Sequence, residues 1–123
     1  MIGYTLFGTN DLDRAAAFYD ALFAELGARR TMQTERFVAW GTSREAPGFG
    51  VTKPYDGQTA TVGNGTMIGL AADSPATVDR LYRKALELGG RDEGAPGDRG
   101  GGFYAGYFRD LDGNKLNFFC MKG

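Results

Sequence analysis

The stretch FYAGYFRDLDGNKLNFFCM, residues 103–121, decides how the chain is read. Two β-rich runs, Phe103 to Arg109 and Lys115 to Met121, flank Asp112-Gly113-Asn114. Asp, Gly and Asn tolerate the positive φ of tight turns, so the segment predicts strand, turn, strand. Arg109 and Asp110 border the turn and are expected to fix the hairpin, with anion binding as a second reading of Arg109. Side chains alternate along a strand, so Asn117 and Phe119 share one face of the last strand and Cys120 takes the other. Cys120 is therefore expected to be buried beneath a helix as a structural thiol.

Reading back toward the N-terminus, the hairpin completes a unit. Thr66 to Ala72 is a short apolar strand, and Ser74 with Pro75 opens a helix, proline being free of cost at the first helical position. Val78, Leu81, Tyr82, Ala85 and Leu88 recur at helical spacing, and Gly89-Gly90 ends the run. A short strand near Arg91 follows. Gly94 to Gly102 lacks the Gly-Lys-Ser/Thr ending of a phosphate loop and reads as a mobile surface loop, a cover for a binding face.

The first half repeats the order at a spacing of about 60 residues. Ile2 to Gly8 is β-rich, and Asn10 or Asp11 caps the helix that follows. Leu12, Ala15, Ala16, Tyr19, Leu22, Phe23 and Leu26 form its apolar stripe, and Gly27 stops it. Arg29 to Thr34, Arg36 to Gly41 and Phe49 to Tyr55 predict three strands. A polar run, Asp56 to Gly63, links the halves. The fold class is α+β: β-α-β-β-β twice, module one over about residues 1–56 and module two over about residues 64–123, as a single domain. One amphipathic helix covers one face of each half-sheet, and the other face is left free.

With these segments on the page, the chain resembles the vicinal oxygen chelate superfamily of glyoxalases, bleomycin resistance proteins and extradiol dioxygenases. The resemblance rests on the opening Gly3-Tyr-Thr-Leu-Phe-Gly-Thr-Asn-Asp-Leu with Ala17-Phe-Tyr-Asp, on Gly63-Asn-Gly-Thr-Met-Ile-Gly-Leu, and on Tyr107-Phe-Arg-Asp-Leu-Asp-Gly-Asn-Lys-Leu. It implies paired βαβββ modules forming a cup-shaped open mixed sheet with helices on the outer face. Metal-dependent members place histidine or carboxylate on four cup-facing strands. The corresponding positions here are Tyr4, Met67, Asn117 and the neighbourhood of Phe49 to Val51. Divalent metals of this kind want imidazole and carboxylate donors, and the chain has no histidine at all. The resemblance therefore implies a member without metal or other cofactor.

What remains at those positions is a lining. Tyr4, Leu6, Met67, Asn117 and Phe119 share cup-facing parity, and Trp40 adds aromatic area, so these six are the expected ligand-binding residues. The competing reading is that they simply fill the cup. Phe37, Tyr55 and Tyr104 are read as packing, and so is Tyr107. No catalytic residue is assigned. Two functions follow: metal-free binding of a small aromatic or amphipathic molecule, or a glyoxalase-like lyase, isomerase or dioxygenase with an atypical site. In the second, Tyr4 is the acid–base candidate.

Composition excludes other classes. The net charge of -1 speaks against nucleic acid, and Arg29, Arg30 and Arg36 read as a solvated strand edge. No apolar run approaches the roughly 18 residues of a membrane span. One cysteine and no leader-like N-terminus give a cytoplasmic expectation. Twenty glycines in 123 residues are more than twice the usual share of roughly 7%, and they fall between elements rather than in one tract. Each module alone bares apolar surface, so a homodimer is expected.

Overall fold

Each helix begins where a side chain satisfies its first free amides. Asp11 caps the first, accepting from the Arg14 N–H at 3.1 Å. Ser74 caps the second, accepting from the Thr77 N–H at 3.1 Å, with Pro75 at its first position. In the computed structural model, which describes residues 1–121, the elements are β1 (Tyr4–Gly8), α1 (Leu12–Ala24), β2 (Arg29–Gln33), β3 (Phe37–Gly41) and β4 (Gly48–Thr52), then β5 (Ile68–Ala71), α2 (Pro75–Glu87), β6 (Arg91–Asp98), β7 (Phe103–Arg109) and β8 (Lys115–Met121). They fall into two compact units, one running through Val62 and the other starting at Gly63.

Each unit is a four-stranded mixed sheet with one helix, in the order β1-β4-β3-β2 or β5-β8-β7-β6. The strand before the helix pairs parallel with the last strand of its unit, β1 with β4 and β5 with β8. The remaining pairs are antiparallel. The α+β class and the repeated β-α-β-β-β order thus stand as expected. No helix among the described residues is long and apolar enough to cross a membrane.

The first unit packs its helix through aromatic rings. Ala15, Ala16, Phe18, Tyr19, Leu22 and Phe23 of α1 are buried, against Val38, Trp40, Phe49 and Val51 of the sheet. Tyr19 and Phe49 lie 4.8 Å apart between centroids, and Phe23 and Phe49 meet edge-on at 5.2 Å. The second unit is more aliphatic. Val78, Leu81 and Ala85 of α2 cover Leu116, Phe118 and Phe108, the last two rings being stacked at 5.4 Å. Cys120 is buried on this helix side, as strand alternation requires.

The β7–β8 turn is held by Asp110. Its Oδ1 accepts from the N–H groups of Asp112 and Asn114, both at 2.9 Å, and its Oδ2 accepts from Asn114 Nδ2 at 3.0 Å. Gly113 takes φ +90°, a conformation that side chains resist. The Arg109 guanidinium donates to the Gly113 carbonyl at 3.0 Å.

Three expectations need correction. Gly94 to Gly102 is not a loop throughout, because through Asp98 it is strand β6, paired with β7 across two irregularities in register. Gly94, at φ +150°, supplies one of them, so glycine marks a bulge here rather than an end of order. Met67 falls just short of β5, whose pairing with β8 starts at Ile68 and Leu116. β4 stops at Thr52 rather than Tyr55, since Pro54 has no N–H to give a ladder.

Candidate functional site

The face of each half-sheet opposite its helix is the surface left for a ligand. In the first unit, β1 presents Tyr4 and Leu6 there, 71% and 44% exposed, while Phe7, next along the strand, is buried on the helix side. Their partners on β4 are Gly48 and Gly50, and a Cβ on Gly50 would come 2.8 Å from Leu6 Cδ2. Glycine on the central strand thus lets Leu6 lie flat across the sheet. Met32, on edge strand β2, is exposed as well.

Trp40 is not on this face. It is 1% exposed, packed against Tyr19 and Phe23 beneath α1. Its indole N–H donates to Asp20 Oδ1 at 2.9 Å. Alternation explains the placement: Trp40 is two residues from Val38, which faces the helix, whereas Ala39 pairs with Gly50 on the open side. Asp20 also receives the Arg30 guanidinium in a fork of 3.0 and 2.7 Å, and that bond, aided by Trp40, holds its carboxyl below the usual carboxylate range. Of the basic cluster, Arg30 is therefore a partner of α1, and Arg36 donates to the Pro54 carbonyl at 2.9 Å.

In the second unit Asn117 pairs with Gly69 on one side and Tyr107 on the other, which places it opposite the helix-facing Leu116 and Phe118. It is 2% exposed, and its Oδ1 has no hydrogen-bond partner. A buried acceptor left unmatched costs free energy, and each such case calls for a reason. A Cβ on Gly69 would sit 3.0 Å from that oxygen. Phe119, two residues along the same face, stacks on Phe103 at 5.5 Å. Met67 is 43% exposed at the mouth of β5.

Around Tyr107 lies a feature that strand reading alone did not reveal. The Arg99 guanidinium carbon is 5.4 Å from its ring centroid and Lys115 Nζ is 5.5 Å away. Arg99 also donates to the carbonyls of Ala95 and, at 3.1 Å, Ala105. Arg109 is spoken for: its Nε and Nη2 both lie 2.9 Å from Glu93 Oε1. Packing is thus only part of the surroundings of Tyr107, because the β6–β7 turn brings Arg99 back over β7. Spacing in the sequence carries no sign of this.

Open clefts lie elsewhere. One of about 310 Å³ sits beside the start of α1, between Thr9, Asn10, Arg36, Lys53 and Gln58. Another, about 300 Å³, opens at the α2 side of the second sheet, among Asp79, Tyr82, Arg83, Leu86, Pro96 and Tyr104. Tyr104 donates to Asp79 at 2.6 Å there, and Tyr82 donates to Asp92 at the same distance. Burial and the Asp92 carboxylate push the Tyr82 phenol up to about 12. Both clefts are shallow and stand apart from the open faces, where the chemistry of a lining is richer.

The whole chain can now be compared with known proteins. A family model described as Glyoxalase/Bleomycin resistance protein/Dioxygenase superfamily matches residues 1–118. The chain belongs to that superfamily. A solved glyoxalase/bleomycin resistance protein from Albidiferax ferrireducens T118 is 37% identical, with 97% of each chain covered and a TM-score of 0.88. A hypothetical protein from S. aureus is 26% identical over 97% of this chain and 91% of its own, with a TM-score of 0.75. A lactoylglutathione lyase from Agrobacterium tumefaciens shares the fold at 24% identity and a TM-score of 0.74, with 97% of this chain and 92% of that chain covered. Among curated proteins no relative matches.

A divalent ion of the kind the resemblance implies wants imidazole and carboxylate donors. Tyr4, Met67 and Asn117 carry a phenol, a thioether and an amide, and the sequence holds no imidazole. No three Cys, Asp or Glu side chains gather to replace them among the described residues. The donor set does not fit a divalent ion of the family type.

Proposed function

We propose that this superfamily member binds a small aromatic or amphipathic molecule without a metal, on the open sheet face that each unit leaves uncovered by its helix. The observation that carries this reading is the side-chain set at the family's ligand positions. Tyr4 and Met67 stand exposed, and Asn117 holds an unmatched buried acceptor on the same kind of face. In the first unit Tyr4 and Leu6 offer stacking and dispersion, and in the second Met67 and Phe119 do so beside the buried Asn117 amide. Trp40 is left out of the wall, since its ring is enclosed by α1. The bare apolar side chains also favour a homodimer, the commonest closed assembly for such a surface.

Elemental analysis after dialysis without chelator tests the first half of the proposal. Well below one zinc, nickel, iron or manganese per chain is expected, and a stoichiometric metal overturns it. Calorimetric titration with a panel of small aromatic compounds tests the second. Binding should be lost in Tyr4→Ala and weakened in Met67→Ala, whereas a panel without a single binder rejects the reading. Light scattering should give twice the 13.3 kDa chain mass at micromolar concentration.

A further inference from the structure

The rim of the second unit's open face carries Arg99, Lys115 and Arg109 together with one carboxylate, Glu93. Arg99 and Lys115 both approach the Tyr107 ring, and neither forms an ion pair with a carboxylate of the described residues. A cation over an aromatic face is attracted to the ring quadrupole but keeps its full charge. The third cation of this face, Arg109, is already neutralised by Glu93. Beside the rim lie an apolar platform, the Phe103–Phe119 stack, and the unmatched Asn117 oxygen.

This juxtaposition goes with a ligand that has an apolar body and a negative end. Resting on the reading of the open face as a binding surface, we propose that the molecule is an aromatic or amphipathic carboxylic acid. Its carboxylate lies at Arg99 and Lys115, and its body lies toward Phe119. A carboxylate suits this rim. The rim supplies one planar guanidinium, whose fork matches the two oxygens of a carboxylate, and one ammonium beside it. Arg99 is steadied by the Ala95 and Ala105 carbonyls, so the guanidinium is positioned before any ligand arrives.

Three probes of one shape separate the possibilities: 2-naphthoate, 2-naphthamide and 2-naphthylmethylammonium, each titrated calorimetrically into the full chain. The carboxylate should bind about ten-fold more tightly than the amide, and the ammonium should bind most weakly. Raising salt from about 0.05 to about 0.5 M should erode the advantage of the carboxylate and leave the amide unchanged. Arg99→Gln and Lys115→Gln should each remove part of the preference, and the double variant should bind acid and amide alike. Arg99→Lys, which keeps the charge, should retain most of it. Circular dichroism of each variant checks that the fold is intact. Equal binding of acid and amide by the unaltered chain overturns the charge assignment and leaves the binding function standing. A preference untouched by the double variant overturns the assignment to these two residues. No binding by any of the three rejects the charge proposal together with the function on which it rests.

Discussion

The two units share one plan and fill it with different chemistry. Under α1 the core is a cluster of rings, Phe18, Tyr19, Phe23, Trp40 and Phe49, tied to strand β2 through Asp20. Under α2 it is Val78, Leu81, Ala85 and Leu116, with Phe108 stacked on Phe118. The open faces reverse the contrast: the first bares Tyr4, Leu6 and Met32, and the second carries aromatic stacking, two cations and a buried amide. Order of elements fixes which face is covered. Residue choice decides whether a face is a core or a wall. The first unit has put its specific hydrogen bonding under the helix, and the second has put much of its own on the open side.

The largest effect expected from this comparison is at Trp40. Trp40→Ala should cost about 3–5 kcal/mol in denaturant unfolding, because it empties a ring-packed site and leaves Asp20 without one of its donors. Leu81→Ala, the counterpart beneath α2, removes a smaller side chain that has no polar partner and should cost about 2–3 kcal/mol. A Trp40→Ala loss below 1 kcal/mol would return Trp40 to the list of ligand contacts and break the division of faces.

Next in size is the hairpin that first identified the fold. Asp110→Ala removes three hydrogen bonds from a buried carboxylate, one of them to the side chain of Asn114, itself buried. A loss of about 2–3 kcal/mol is expected. Asp112→Ala, whose side chain makes none of these bonds, should stay within about 0.5 kcal/mol of the parent. Comparable losses in both variants would mean that turn conformation, not the Asp110 carboxylate, holds β7 to β8.

Asn117 allows the opposite sign. Replacing it with leucine removes a buried acceptor that has no partner, so stability should rise by about 1 kcal/mol while ligand affinity falls. The neighbouring Gly69 takes up part of the strain, since Asn117 Oδ1 already lies close to where a Cβ would be. If Asn117→Leu is destabilising, the amide is structural and the open face of the second unit is core rather than wall.

Much of this was legible before any coordinates. The strand boundaries Phe103–Arg109 and Lys115–Met121 follow from alternation on either side of Asp-Gly-Asn, and both stand as read. Ser74-Pro75 and Asp11 mark the helix starts because capping is a local matter. The burial of Cys120 follows from parity alone. Trp40 was misplaced because its size suggested a ligand wall, although Val38 and Trp40 together alternate against Ala39 and so favour the helix side. β6 is legible only at its start near Arg91, because Glu-Gly-Ala-Pro-Gly has no β propensity and continues as strand by pairing with β7. Arg99 and Lys115 meet over Tyr107 only through the return of the β6–β7 turn and the register of β8, which spacing does not encode.

The smallest effects lie where helix meets sheet edge, and each unit titrates there at a different end of the pH scale. In the first, the Arg30 fork holds the Asp20 carboxyl below its ordinary value. A carboxyl that is more acidic when folded adds stability above its unfolded value near 3.8, and that contribution is lost as pH falls through the lower, folded value. The pair is partly exposed, so its worth is about 0.2–1 kcal/mol, and added salt should reduce it. In the second unit the Tyr82 phenol, pushed up to about 12 by burial and by Asp92, works in the other direction. Its contribution is complete below pH 10, the ordinary tyrosine value, and disappears as pH rises through about 12. Asp20→Asn should therefore flatten the acid limb of a stability–pH curve and leave the alkaline limb alone, whereas Tyr82→Phe should flatten the alkaline limb and also release the Asp92 carboxyl that the phenol holds low. Absorbance titration near 295 nm should show one fewer late-ionising tyrosine in Tyr82→Phe. If Asp20→Asn altered the alkaline limb, the two edges would not be independent, and the contrast between the units would not extend to their electrostatics.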